Sequence, residues 1–238
     1  FERGGYVLMA TANGTVKRTP LADYSRPRTA RIIAIDLQDD DWLVGAALTD
    51  GNQEVMLFTS AGKAIRFDEG QARPTGRATR GVRGIHLARG QRVISLIVPT
   101  GQDILTVTEN GYGKRTALAE YRLQGRGGHG LIAIQASERN GALVAAVQVS
   151  EEHELMLITN GGTLVRTRAA EVSRLGRNTQ GVRLMRPGEG ERIVAVERVE
   201  DLEPGNGAQG DGDADVDAAS GPDSDSDPDP DLGGNAGD

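Results

Sequence analysis

The sequence predicts an all-β protein: four sheets of four short strands each, stacked face to face like the blades of a propeller. Three observations carry this. A unit of about fifty residues recurs four times. Each copy contains an apolar strand closed by a glycine turn and followed by a return strand. The last strand of each copy is apolar on both faces, so both faces must be covered. Small sheets repeated at this period and covered on both sides describe blades; a two-sheet sandwich would give alternation without the period.

The first strands are Val7–Thr11, Val55–Thr59, Ile104–Thr108 and Leu155–Thr159, and their turn glycines fall at Gly14, Gly62, Gly111 and Gly162. The return strands end at Arg18, Arg66, Arg115 and Arg166. A second landmark, at Arg31, Gly81, Gly130 and Gly181, precedes predicted third strands over Ile32–Ile35, Val82–Leu87, Leu131–Ile134 and Val182–Met185. Fourth strands begin at Leu43, Val93, Leu143 and Ile193, and their third position is always small: Gly45, Ser95, Ala145 and Ala195. A small residue there lets a neighbouring sheet come close. The repeats are placed at 5–52, 53–101, 102–152 and 153–199, in a domain over 1–199. Helical periodicity is limited to single turns near Leu21–Tyr24 and Leu118–Tyr121.

Among the 238 residues, aromatics make up 3% and there is no cysteine. The core must therefore come from Val, Ile, Leu and Ala, and disulfides, thiolate metal sites and cysteine nucleophiles are excluded. The absence of cysteine fits a reducing cytosol. No apolar run reaches the roughly 18 residues of a membrane helix. The chain begins at Phe1 and reads as a piece of a longer protein.

The net charge of −7 hides a segregation. Residues 200–238 hold thirteen acids and no base, which leaves 21 acids against 27 bases before them, a net of +6. Of the bases, 24 are arginine, the side chain that grips phosphate with a planar fork. They recur at two places in each repeat. One is the return strand: Lys17 and Arg18, Lys63 and Arg66, Lys114 and Arg115, Arg166 and Arg168. The other is the loop before the third strand and the strand's start: Arg26, Arg28 and Arg31; Arg73, Arg77, Arg80 and Arg83; Arg122 and Arg126 with His129; Arg174, Arg177 and Arg183. Charges that recur with the structural period line one rim, the footprint of a polyanion partner. With few aromatics for base stacking, duplex DNA held by its phosphates is expected, with salt-sensitive binding that is largely indifferent to sequence.

The third of these loops, Gln124-Gly125-Arg126-Gly127-Gly128-His129-Gly130, is expected to present backbone N–H groups and a guanidinium to phosphates. Its glycines satisfy G-x-G-x-x-G, but a β-branched strand follows where a dinucleotide site requires a helix. Gly113-Lys114 is followed by arginine and is no P-loop. The histidines, His86, His129 and His153, stand far apart in sequence without a ligand pattern. No catalytic or metal-binding residue is expected, and the four tyrosines read as packing residues.

The repeats resemble the C-terminal domain of the bacterial DNA gyrase A-subunit, a β-pinwheel, over residues 1–199. The closest segments are Met9–Lys17, Glu54–Phe58, Thr79–Ile85, Asn110–Thr116 and Gly176–Val182. Gln124–Gly130 is similar to that family's glycine-rich box, Q-R-R-G-G-K-G, with Gly125 and His129 departing from it. The family places its box in the first of six blades, so the resemblance implies that this chain supplies the last four blades. It further implies a DNA-wrapping role within a bacterial, cytoplasmic topoisomerase that introduces negative supercoils. The gyrase B-subunit, which hydrolyses ATP, and the magnesium and cleavage sites would lie outside this chain, which itself needs no cofactor. The alternatives are the related C-terminal domain of topoisomerase IV and a protein-interaction propeller. Residues 200–238 have almost nothing apolar to bury and are expected to be a disordered acidic tail.

Overall fold

The computed structural model describes residues 4–25 and 32–199. They belong to the first of the two units into which the chain divides, Phe1–Asp201; the second, Leu202–Asp238, lies outside the described residues. So do Arg26, Arg28 and Arg31.

The strands are β1 (Tyr6–Thr11), β2 (Thr15–Pro20), β3 (Leu43–Thr49), β4 (Glu54–Thr59), β5 (Lys63–Asp68), β6 (Val82–Arg83), β7 (Val93–Ile97), β8 (Asp103–Thr108), β9 (Tyr112–Thr116), β10 (Leu131–Ile132), β11 (Leu143–Val149), β12 (Glu154–Thr159), β13 (Leu164–Arg168), β14 (Val182–Arg183) and β15 (Ile193–Val199). Apart from these, only single 3-10 turns occur among the described residues, at Leu21–Tyr24, Glu69–Gln71, Leu118–Glu120 and Ala169–Glu171. The sheets run β3-β1-β2-β6, β7-β4-β5-β10, β11-β8-β9-β14 and β15-β12-β13, all antiparallel.

This order corrects the expected third strands twice. They are two residues long, and each leaves its own repeat to pair with the return strand of the repeat before it. β6 joins β2, β10 joins β5 and β14 joins β9. The first repeat has no preceding return strand within the chain, and Ile32–Ile35 forms no strand. The fourth sheet correspondingly has three strands among the described residues.

The two glycine landmarks explain the exchange. The carbonyls of the turn glycines Gly14, Gly62 and Gly111 each accept two N–H groups from the next repeat, those of Gly84 and Ile85, Ala133 and Ile134, and Leu184 and Met185. The second glycine landmark lets the donated strand lie close. Gly130 has φ +69°, and a Cβ there would stand 2.6 Å from the Ala64 carbonyl; at Gly181, with φ +76°, it would stand 2.6 Å from the Gly113 carbonyl. Only glycine meets both demands without strain.

Period-two alternation places each middle strand between two cores. Val55 and Leu57 of β4 pack with Leu8, Val16 and Ile85 toward the first sheet. Met56 and Phe58 pack with Ile104, Ile134 and Leu143 toward the third. A further core around Leu105, Val107, Leu155 and Leu157 joins the third and fourth sheets. The fourth strands pack on one another along the inner edge, and the small third position does what its size predicts: a Cβ on Gly45 would lie 3.4 Å from Leu96. Every inner strand also carries a bulge at its second residue, at Val44, Ile94, Val144 and Val194. Among the described residues β3 and β15 have no sheet on one face, and Leu48 is 70% exposed and Val194 48%.

Candidate nucleic-acid interface

The donated strands β6, β10 and β14 form the outer edge of the first three sheets. The loops that lead to β10 and β14 each dock on the outer strand before them. Arg126 Nη1 donates to the Arg83 carbonyl on β6 at 3.0 Å, and Arg177 Nη1 donates to the Ile132 carbonyl on β10. Outer strand and loop arginine therefore alternate from β6 to β14. Around this line Arg73, Arg83 and Arg122 are exposed and take no carboxylate partner among the described residues, as does Arg168 at the end of β13. Lys63 and Arg77 are half-buried.

The return-strand cations are placed differently from expectation. Lys17 and Lys114 are 1% and 0% exposed, and Arg18 and Arg115 6% and 5%. They lie inside because the next repeat's loop covers them. Lys17 Nζ donates to Thr19 Oγ1 (2.8 Å), the Ala34 carbonyl (2.7 Å) and the Arg77 carbonyl (2.7 Å). Lys114 Nζ donates to the Gly176 and Arg177 carbonyls and to Thr179 Oγ1. Burial pushes Lys17 down from the usual lysine value and Lys114 down to about 8. Arg18 stacks on Tyr6 and lies 3.7 Å from the buried Glu69, whose carboxylate also accepts from Thr49 Oγ1 and the amides of Gly51 and Gln53. Arg115 donates to the Val172 carbonyl and approaches Glu151 and Asp103. Arg66 pairs with Glu54 and donates to the carbonyls of Leu118 and Tyr121. These groups hold loops and blades together and do not face solvent as free cations. Arg80, Arg166 and Arg174 are exposed but paired with Asp36, Glu154 and Asp103.

The Gln124–Gly130 loop also differs from its predicted form. Its amides at Gln124, Arg126 and Gly127 donate to the Arg66 carbonyl, Gln71 Oε1 and the Gly84 carbonyl, and Arg126 Nε donates to the Gln71 carbonyl. Arg126 is thus turned onto the protein. Arg177, the equivalent arginine of the next repeat, docks in the same way on the Ile132 carbonyl. In β5, Ile65 occupies the position that Lys17 and Lys114 hold in β2 and β9, so this loop is held by Gln71 and its own arginine without a lysine. Gly125 and Gly128 leave the loop's surface bare of side chains, and His129 is exposed. Its ring lies 4.3 Å, centroid to centroid, from His86, a neighbour that sequence distance concealed. No group of three or more potential metal ligands occurs among the described residues.

Two cations outside the predicted set, Arg139 and Arg186, join the surface. Arg139 and Arg183 stand over the Tyr112 ring at 4.2 and 4.8 Å, and Arg186 lines the same cleft. Arg139 and Arg186 were missed because neither position is basic throughout the repeats: Arg139 stands where the others carry Asp39, Arg89 and Glu189. Arg186 follows the third strand where Asp36, His86 and Gln135 stand in the other copies.

Comparison with known proteins agrees with the period. The family described as DNA gyrase C-terminal domain, β-propeller, matches residues 5–50, 53–100, 102–150 and 153–200. The DNA gyrase A-subunit of Pseudomonas aeruginosa is 55% identical over 204 residues, covering 85% of this chain and 22% of that protein. That of Escherichia coli K12 is 53% identical over 220 residues, covering 89% and 25%. The chain thus spans about a quarter of the length of these relatives. A crystal structure of the C-terminal domain of DNA topoisomerase IV superposes with a TM-score of 0.79 at 28% identity, covering 84% of this chain and 63% of that one. A structure of the DNA gyrase A C-terminal domain superposes at 0.73 and 28%, covering 82% and 66%. With the repeat matched in all four copies, the chain belongs to the DNA gyrase C-terminal domain, β-propeller, family.

Proposed function

We propose that the outer edge from β6 to β14 binds duplex DNA through its phosphates and bends it around the stacked sheets, as the wrapping part of a DNA gyrase. The observation that carries this reading is the alternation of outer strand and arginine along one edge, with Arg73, Arg83 and Arg122 beside it taking no carboxylate partner among the described residues. Among the described residues the edge offers no helix or ribbon for the major groove, so affinity comes from backbone charge and is nearly sequence-independent. Wrapping around this edge would present a neighbouring segment for strand passage and give the product a fixed sign of supercoiling. Cleavage, ATP hydrolysis by the B-subunit and magnesium binding belong to the remainder of that enzyme. The likeness to topoisomerase IV supports a second reading, in which the same edge serves that enzyme; the relatives more than half identical to this chain are named as DNA gyrase A-subunits.

A mobility-shift series with short and long duplexes tests the reading. About six phosphate contacts predict a fall of about 10³ in affinity between 50 and 200 mM salt, together with tighter binding to longer duplexes. Equal, weak binding to both lengths at low salt would overturn it.

A further inference from the structure

We propose that the cleft at the turn end of the third sheet is a built site for a phosphate group, occupied by a backbone phosphodiester of the bound duplex. The cleft measures about 240 Å³ and is open to solvent. Two repeats build it. Asn110 and Tyr112 come from the third hairpin, Arg139 from the link before β11, and Arg183 and Arg186 from the fourth repeat. β14 brings Arg183 directly opposite Tyr112, so strand donation completes the site.

Its chemistry is one-sided. Three guanidiniums converge, and the one acid on the wall, Glu191, is occupied by the hydroxyls of Thr159 and Thr163 and the Gly188 amide. Tyr112 supplies a ring face for Arg139 and Arg183, and Arg183 also donates to the Tyr112 hydroxyl. A stacked guanidinium keeps its in-plane N–H donors free for phosphate oxygens. Asn110 Nδ2 donates to the carbonyls of Glu138 and Arg139 and so fixes the segment that carries Arg139. Like charges this close repel one another, and an anion relieves that repulsion.

The same place on the other blades lacks this chemistry. On the first, Thr15 replaces Tyr112, and the wall carries Asp36 and Asp41, with Asp36 paired to Arg80. On the second, Lys63 faces Ile132 where the third blade pairs Tyr112 with Arg183. This built cleft is therefore particular to the third blade. An open cleft suits a phosphate carried on a longer strand better than an enclosed metabolite.

The duplex occupant rests on the DNA-binding reading, and the test separates the two. Binding of a long duplex is measured across a salt series for the unaltered chain, for R186Q and for R139Q/R186Q; a titration with inorganic phosphate is followed by the NMR shifts of the Tyr112 ring. Loss of one phosphate contact lowers the salt slope by about 1 in the double variant, and its phosphate-induced Tyr112 shifts vanish. Arg186 makes no hydrogen bond or ion pair among the described residues, so R186Q keeps the fold and alone weakens both readouts. If the unaltered chain fails to bind duplex, the DNA reading falls, and with it the duplex occupant. If it binds duplex but both variants keep its slope, the duplex occupant is overturned, and saturable phosphate shifts would then mark a free-phosphate site. Tyr112 shifts that never saturate, with slopes unchanged, overturn the site itself.

Discussion

Replacing Lys114 by methionine removes the donor that pins the fourth repeat's loop to the third blade. The side chain is fully buried, and its ammonium serves two carbonyls and one hydroxyl. Hydrogen bonds to a charged group contribute about 1.5–3 kcal/mol each. Water reaches the freed acceptors, because Gly176 is exposed and Arg177 and Thr179 are half-buried, so the low end applies, about 4 kcal/mol for the three. Against this, methionine avoids burying a charge, a penalty that pushes the lysine from 10.5 to about 8, or about 3 kcal/mol at ~1.36 kcal/mol per pH unit. The net deficit at pH 7 is therefore small, about 1–2 kcal/mol. The pH dependence is more telling. The unfolded chain keeps this proton up to about 10.5 and the folded chain only up to about 8. Between those values unfolding takes up a proton, and stability rises with pH. The group adds about 2 kcal/mol to the unaltered chain between pH 7 and 9.5, a gain K114M lacks. Urea unfolding of both chains at the two pH values measures this, and contributions common to both, such as that of Lys17, cancel in the difference. The deficit should grow to about 3–4 kcal/mol at pH 9.5. A deficit that is zero, or identical at both pH values, refutes the clamp.

Two further substitutions probe the exchange of strands and the buried ion pair. Gly130→Ala forces a side chain into a left-handed backbone and against the Ala64 carbonyl; it should cost about 2 kcal/mol or more and remove exchange protection from the Ala133 and Ile134 amides. Glu69→Ala strands Arg18 beside its lost carboxylate and frees the Gly51 and Gln53 amides; a loss of about 3–5 kcal/mol is expected in the same unfolding assay.

The repeat, its turns and its inner strands were legible because each depends on local chemistry. Gly62 marks a turn, the apolar run Val55–Phe58 marks a strand, and a fourth strand such as Leu143–Ala146 is apolar on both faces. The donated strands were misjudged because a strand two residues long has no periodicity, and its partner lies in another repeat. The same cause hid the fate of the return-strand cations. Nothing near Lys17 in sequence announces the loop around Arg77 that buries it, and Arg126 reads as free until the Gln71 and Arg83 carbonyls of the preceding repeat are found beside it. The meetings of His86 with His129, and of Arg139 with Arg183 on Tyr112, arise only once neighbouring repeats are packed together.

Wrapping of duplex DNA by the outer-edge cations is reported directly by the topology of a closed circle. Nicked circular DNA is sealed by ligase with increasing amounts of the chain, then stripped of protein, and its linking number is measured. The account predicts a shift of one sign that grows with bound chain and disappears when Arg83, Arg122 and Arg177 are changed together to glutamine. A linking number that stays at its protein-free value while the circles are saturated with chain would contradict it.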